Sequence, residues 1–114
     1  MRRHTELPFR ATSGAVEYIR HWSRPKRSLR ATITLANADF EYDEQGNVLA
    51  RFDEEHFLVG YHRPPQVAKW PVYEIGGHSI AICPEIIATL DGKRLKLRKK
   101  SGHSLICPYV LVAA

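Results

Sequence analysis

Leu29-Arg30-Ala31-Thr32-Ile33-Thr34-Leu35-Ala36-Asn37-Ala38-Asp39-Phe40-Glu41-Tyr42 is the stretch on which the fold class turns. In its first half Leu29, Ala31, Ile33 and Leu35 point one way, and Arg30, Thr32 and Thr34 the other. A period of two marks an extended chain whose two faces meet different surroundings. The β-branched Thr and Ile suit a pleated strand. At Asn37 the phase slips, because Ala38, Phe40 and Tyr42 become the apolar set, which predicts a bulge or bend there.

Toward the C-terminus, Asp43-Glu44-Gln45-Gly46-Asn47 carries the residue types of a tight reversal, and Val48 to Phe52 is the expected returning strand. Phe57, Val59 and Tyr61 alternate again, until Arg63-Pro64-Pro65 ends the run. Further strands are expected near 69–75, 79–83, 86–90, 94–98 and 104–112, with Asp91-Gly92 as a turn. Toward the N-terminus, Ala15, Val16, Tyr18, Ile19 and Trp22 recur at helical spacing behind Ser13, the expected cap. Pro25 stops that helix, since its ring excludes continuation and pushes Arg24 toward extended geometry.

The expected architecture is therefore mainly β (α+β): a small antiparallel sheet or partly open barrel with one N-terminal helix. Residues 1–114 are read as one domain, with an arm over 1–12, the helix over 13–23, a basic linker over 24–28 and a β-rich core over 29–113. OB-like and SH3-like barrels share this size and pattern, a likeness of shape that transfers no function. With 114 residues and a 44% hydrophobic share, the chain can bury one core. No apolar run approaches the roughly 20 residues that span a bilayer, so no membrane partner is expected. Pro8 and Arg10 interrupt the basic start, which lacks the apolar stretch of a signal peptide. Two cysteines are too few for a secreted disulfide framework, so a reducing, cytoplasmic setting is expected.

The formal charge of +5 is unevenly laid out. Residues 1–30 hold eight Arg and Lys against Glu6 and Glu17. Residues 31–61 hold only Arg51 against Asp39, Glu41, Asp43, Glu44, Asp53, Glu54 and Glu55. Residues 62–114 again hold eight basic residues, against Glu74, Glu85 and Asp91. Within the last segment Arg94, Lys96 and Arg98 alternate with Leu95 and Leu97, so the leucines enter the core while three cations share the outer face, followed by Lys99 and Lys100. Such a row needs an answer, either from the acidic middle segment lying alongside or from an external polyanion. The linker cations Arg24, Lys26, Arg27 and Arg30 could extend the same surface, with Trp22, Tyr61, Trp70, Tyr73 and Tyr109 as stacking platforms if exposed, although Trp22 and Tyr73 are expected in the core.

One internal echo stands out. Gly77-His78-Ser79-Ile80-Ala81-Ile82-Cys83-Pro84 is matched, with one gap, by Gly102-His103-Ser104-Leu105-Ile106-Cys107-Pro108. It reads first as two pseudo-equivalent β units related by a local two-fold axis. Its chemical alternative is zinc, because His78, Cys83, His103 and Cys107 supply two nitrogens and two sulfurs. Against zinc stand the apolar residues between the ligands and the roughly 13 Å that an extended strand would place between His103 and Cys107.

Catalytic signatures are missing: there is no G-x-S-x-G, H-E-x-x-H, phosphate-binding glycine loop or dinucleotide fingerprint. His56 and His62 could act as an acid–base pair on RNA, and Asp39, Glu41 and Asp43 share a strand face that could hold Mg²⁺. The expectation favoured over these is a non-enzymatic nucleic-acid- or ribonucleoprotein-binding module. Its contacts would come from Arg24, Lys26, Arg27, Arg94, Lys96, Arg98, Lys99 and Lys100. The alternatives are a small protein-binding inhibitor or accessory factor, of phage or mobile-element type, that docks through the acidic 39–55 segment, and a His-dependent small ribonuclease.

Overall fold

The computed structural model describes residues 3–4, as backbone, and 7–114. In chain order its elements are β1 (Arg3–His4), β2 (Arg10–Ala11), α1 (Ser13–Trp22), β3 (Arg30–Ala36), β4 (Asp39–Tyr42), β5 (Val48–Phe52) and β6 (His56–His62). A 3-10 turn (Pro64–Val67) leads to β7 (Val72–Ile75), β8 (His78–Ile82), α2 (Pro84–Thr89), β9 (Arg94–Lys99), β10 (Ser101–Gly102) and β11 (Tyr109–Ala113). Eight strands form one sheet in the order β1-β7-β8-β3-β6-β11-β9-β2, and β10-β5-β4 form a second. The large sheet curls into an open half-barrel, and the fold is α+β, mainly β.

The period-two stretch becomes β3, the middle of the large sheet, paired antiparallel with β6 from Arg30↔His62 to Ala36↔His56. Its other edge pairs parallel with β8, and the short β1 and β2 also pair parallel, with β7 and β9, so the sheet is mixed. Register places Ala31, Ile33, Phe57, Ile80, Leu111 and Leu95 on one face, where Ala15 and Ile19 of α1, Ile86 of α2 and Leu90 just after it cover them. Burying that many aliphatic side chains is the main source of stability, at about 25 cal/mol per Å² removed from water. The opposite face is covered only in part: Phe52 packs on Val110 and Val112, while Val67 and Trp70 pack on Val72 and Ala81.

The phase slip at Asn37 marks a change of sheet. The chain leaves β3, passes Asn37 and the exposed Ala38, and begins β4 in the small sheet. Asp43 closes the β4–β5 turn by accepting from the backbone N–H of Gln45 (2.9 Å) and Asn47 (2.8 Å). The small sheet thus joins the tips of two long hairpins, β3–β6 and β9–β11, where Ser101 and Gly102 meet Arg51 and Ala50.

Three local expectations need correcting. The cap of α1 is Thr12, whose Oγ1 accepts from Ala15 N–H at 3.1 Å, and Ser13 is already helical. Residues 86–90 are not a strand: Pro84 opens the helix α2, and the Leu90 N–H donates to the Ile86 carbonyl at 2.9 Å. The strand expected over 104–112 begins only at Tyr109, because 103–108 forms a loop around the Ser104 hydroxyl, which bonds the Cys107 and Ile106 N–H groups. Within the expected arm, β1 and β2 are strand, while residues 1, 2, 5 and 6 lie outside the described residues. Among the described residues, no helix is long and apolar enough to cross a membrane.

Candidate nucleic-acid interface

The echo has no structural counterpart. His78–Ile82 is a strand with Ile80 and Ile82 fully buried, whereas Leu105 and Ile106 lie in a loop, 76% and 77% exposed. Shared residue types therefore met different neighbours: β8 is flanked by β7 and β3, while 103–108 hangs from the edge of β5. The zinc set is not assembled for the same reason. His78 Nδ1 shares a 3.1 Å hydrogen bond with Ser23 Oγ, Cys83 precedes α2, the His103 N–H donates to the Leu49 carbonyl, and Cys107 Sγ reaches the Tyr109 carbonyl at 3.7 Å. Among the described residues, no three His, Cys, Asp or Glu side chains gather in a way that could hold a metal ion.

His56 and His62 do not form an acid–base pair open to substrate. His56 is fully buried, edge-on to Phe52, and its Nδ1–H donates to the Glu54 carbonyl at 2.9 Å. His62 Nδ1 shares a 2.9 Å hydrogen bond with the buried Thr32 hydroxyl.

The acidic row is spent on structure rather than on Mg²⁺. Asp39 pairs with Lys100 at 2.8 Å, and Asp43 holds its turn. Glu41 crosses to the 103–108 loop, accepting from the Ser104 hydroxyl at 2.6 Å and the Leu105 N–H at 2.7 Å. The Ser104 hydroxyl, and next the Leu105 N–H, favour the carboxylate form and hold the Glu41 pKa below its ordinary value of 4.5. A depressed carboxylate contributes stability above its ordinary pKa and loses it as pH falls through the depressed one. Protection of the Leu105 amide from hydrogen exchange, corrected for intrinsic rate, should therefore hold near neutrality and fall away as pH drops below 4.5. In Glu41→Ala that protection should be low at every pH. An amide equally protected in both proteins would show that this contact does not order the loop.

The same segment answers part of the basic row. Arg98 Nη1 lies 3.1 Å from Glu54 Oε2, and Lys100 is tied to Asp39 with only 10% of its side chain exposed. Among the described residues, Arg94, Lys96 and Lys99 have no carboxylate within ion-pair distance. Lys96 and Arg98 stand across from Val112 and Val110, on the sheet face away from the helices. The expected cation face of β9 thus exists, but it is partly neutralised from within.

The linker is different. Its chain is held in place by Tyr61, whose hydroxyl donates to the Arg24 carbonyl at 2.6 Å and lies 3.2 Å from that of Trp22. A turn closes by the Leu29 N–H to Lys26 carbonyl bond of 3.2 Å, with Ser28 at φ 63°. Lys26 Nζ sits 4.2 Å over the Tyr61 ring, a cation–π contact that fixes its stem. Arg24, Lys26 and Arg27 are exposed, and with Arg30 they have no carboxylate partner among the described residues. Trp22, 37% exposed, lies beside them with His21 edge-on at 4.8 Å. Tyr61 is the anchor of the turn rather than a stacking platform, Tyr73 belongs to the core as expected, and Trp22, expected in the core, is instead partly exposed.

Two strands, β6 and β11, stand between the strand that follows the linker and the basic strand β9. Leu35, Phe57, Leu111 and Leu97 stand level across β3, β6, β11 and β9. Arg30 lies five residues from that line on one side, with Arg98 and Lys99 one and two residues from it on the same side and Arg94 three residues on the other, so Arg94 stands roughly 25 Å from Arg30 along the strands. Arg20, His21 and His78, the last of them read from the sequence only as a zinc ligand, border the linker group in an open cleft that also has Glu17, Arg24 and Pro25 on its walls. Only the fold joins residues 20–25 to residue 78. Comparison with known proteins returned no matching family model, no matching curated protein and no matching solved structure.

Proposed function

We propose that this protein is a non-enzymatic nucleic-acid-binding module whose phosphate contacts come chiefly from the Arg24–Arg30 turn and the adjoining end of α1. The observation that carries this reading is the set of exposed cations, Arg24, Lys26 and Arg27, left without a carboxylate partner among the described residues on a turn pinned by Tyr61. Cations held in place lose little freedom on meeting phosphates, and each phosphate neutralised releases condensed counterions. Trp22 offers a face for a base to stack on. Contacts of this kind position a strand without reading its sequence. Arg94 and Lys96 form a second, weaker patch that a long strand could reach. The free thiols Cys83 and Cys107 accord with a reducing, cytoplasmic setting.

The test is binding of a labelled single strand of about 20 nucleotides at several salt concentrations. Reversing Arg24, Lys26 and Arg27 to Glu should weaken binding about 30-fold at low salt and flatten the log–log salt slope by about 2. Reversing Arg94 and Lys96 should do less. Unchanged affinity after the first reversal would remove the proposal. A second reading, a protein-binding accessory factor, is favoured by one observation: Phe40, Tyr42, Val48, Leu105 and Ile106 are all exposed on or beside the small sheet, near the acidic segment. It would be preferred if a protein co-purified at moderate salt and was lost on charge reversal within 39–55.

A further inference from the structure

The cleft at the end of α1 is built with more care than a solvated basic patch requires. Glu17, Arg20, His21, Arg24, Pro25 and His78 line about 510 Å³ of open space. Ser23, only 1% exposed, shares a 3.1 Å hydrogen bond with His78 Nδ1, which fixes the ring and leaves Nε2 without a protein partner among the described residues. Arg20 is placed by the β7–β8 turn: Gly76 has φ 60°, and a Cβ there would come within 2.9 Å of Arg20 Cβ, so the missing side chain is what lets the Arg20 stem lie against the turn. One objection is that helix C-termini repel anions through their free carbonyls. Here the Tyr61 hydroxyl engages the Trp22 and Arg24 carbonyls, which blunts that repulsion.

We infer that this cleft binds a phosphate monoester, and specifically the terminal phosphate of a nucleic-acid strand. Two guanidinium and two imidazole groups face one space, opposed by Glu17, which reaches Arg20 at 3.8 Å. Glu74 and Lys26, with Arg30, border the neighbouring hollow on the other side of His78. A terminal phosphate presents three free oxygens and up to two charges, whereas a diester within a strand presents two oxygens and one charge. Four separate donors match the former, and a planar guanidinium fork can pair with two charged phosphate oxygens at once. The inference rests on the nucleic-acid reading for its source of phosphate, with the Arg24–Arg30 turn holding the strand that follows the bound end.

The experiment compares one short RNA with a 5′-phosphate, with a 3′-phosphate, and with hydroxyls at both ends, alongside a nucleoside monophosphate, on the full chain. One phosphorylated end should bind about tenfold tighter than the hydroxyl-ended strand. His78→Ala should abolish that gain while leaving hydroxyl-ended binding unchanged, and Ser23→Ala should reduce it. Melting curves of both variants, and His78→Gln as a polar replacement, separate a lost contact from a lost fold. Equal affinity for all three strands would overturn the inference and leave the nucleic-acid reading standing. Failure of every strand and of the monophosphate to bind would overturn both. Binding of the monophosphate alone, abolished in His78→Ala, would keep the phosphate site but overturn the strand as its source.

Discussion

Gly102→Ala is expected to destabilise the protein by about 3 kcal/mol and to release the 101–108 segment from β5. Gly102 has φ 94°, and a Cβ built there meets the Leu49 carbonyl oxygen at 2.2 Å and Ala50 Cα at 3.1 Å. Both obstacles are backbone, so no side chain can swing aside. The strand must move instead, which breaks the Ser101↔Arg51 and Gly102↔Ala50 pairing and the His103 N–H to Leu49 carbonyl bond. Gly46, at φ 86° with nothing within 4 Å of the built Cβ, is the control. Gly46→Ala carries only the cost of the backbone conformation, about 1 kcal/mol. Chemical denaturation of the two variants measures the contrast, and equal losses would show that the close approach at Gly102 is not limiting.

Asp39→Ala should cost a similar amount, about 3 kcal/mol. Lys100 points its ammonium to Asp39 at 2.8 Å with a tenth of its side chain exposed, while the Asp39 side chain is 32% exposed. Removing the carboxylate strands a cation that water reaches poorly, and an uncompensated buried charge is far more costly than a pair is stabilising. The double variant Asp39→Ala/Lys100→Met should recover most of the loss, because the stranded charge is then gone. A loss below about 0.5 kcal/mol in the single variant would mean that Lys100 simply turns out to solvent.

What could be read from the chain, and what could not, follows the range of the forces involved. The alternation in 29–35, the Asp43–Asn47 reversal, the helix from Ala15 to Trp22 and the Leu95/Leu97 strand all rest on neighbours within a few residues, and all are present. Ile86-Ile87-Ala88 is ambiguous in sequence because a short apolar run fits a strand or a buried helical turn equally well. Pro84, at the first position of α2, was the available signal for a helix. The echo misled for a related reason. The residues Gly, His, Ser, Cys and Pro recur, but the partners that made one copy a core strand and the other an exposed loop are far away in sequence.

The site was legible in its charge and not in its pairing. The row at 94–100 could be seen to need an answer, and the sequence offered acidic residues in plenty. That Glu54 and Asp39 would take Arg98 and Lys100, leaving Arg24, Lys26 and Arg27 among the cations without a carboxylate in the described residues, depends on which hairpin tips meet. Likewise, nothing local announces that His78 lies beside Arg20 and Ser23, since 55 residues separate Ser23 from its hydrogen-bond partner.

The union of the two hairpin tips also has a kinetic meaning. Contacts between β5 and β10 can form only after two distant hairpins have each closed and aligned, so they belong to the late side of the folding barrier. Weakening them should hasten unfolding while hardly slowing refolding. The tips would then act as a latch on the lifetime of the native state, applied after the rest of the chain has found its place.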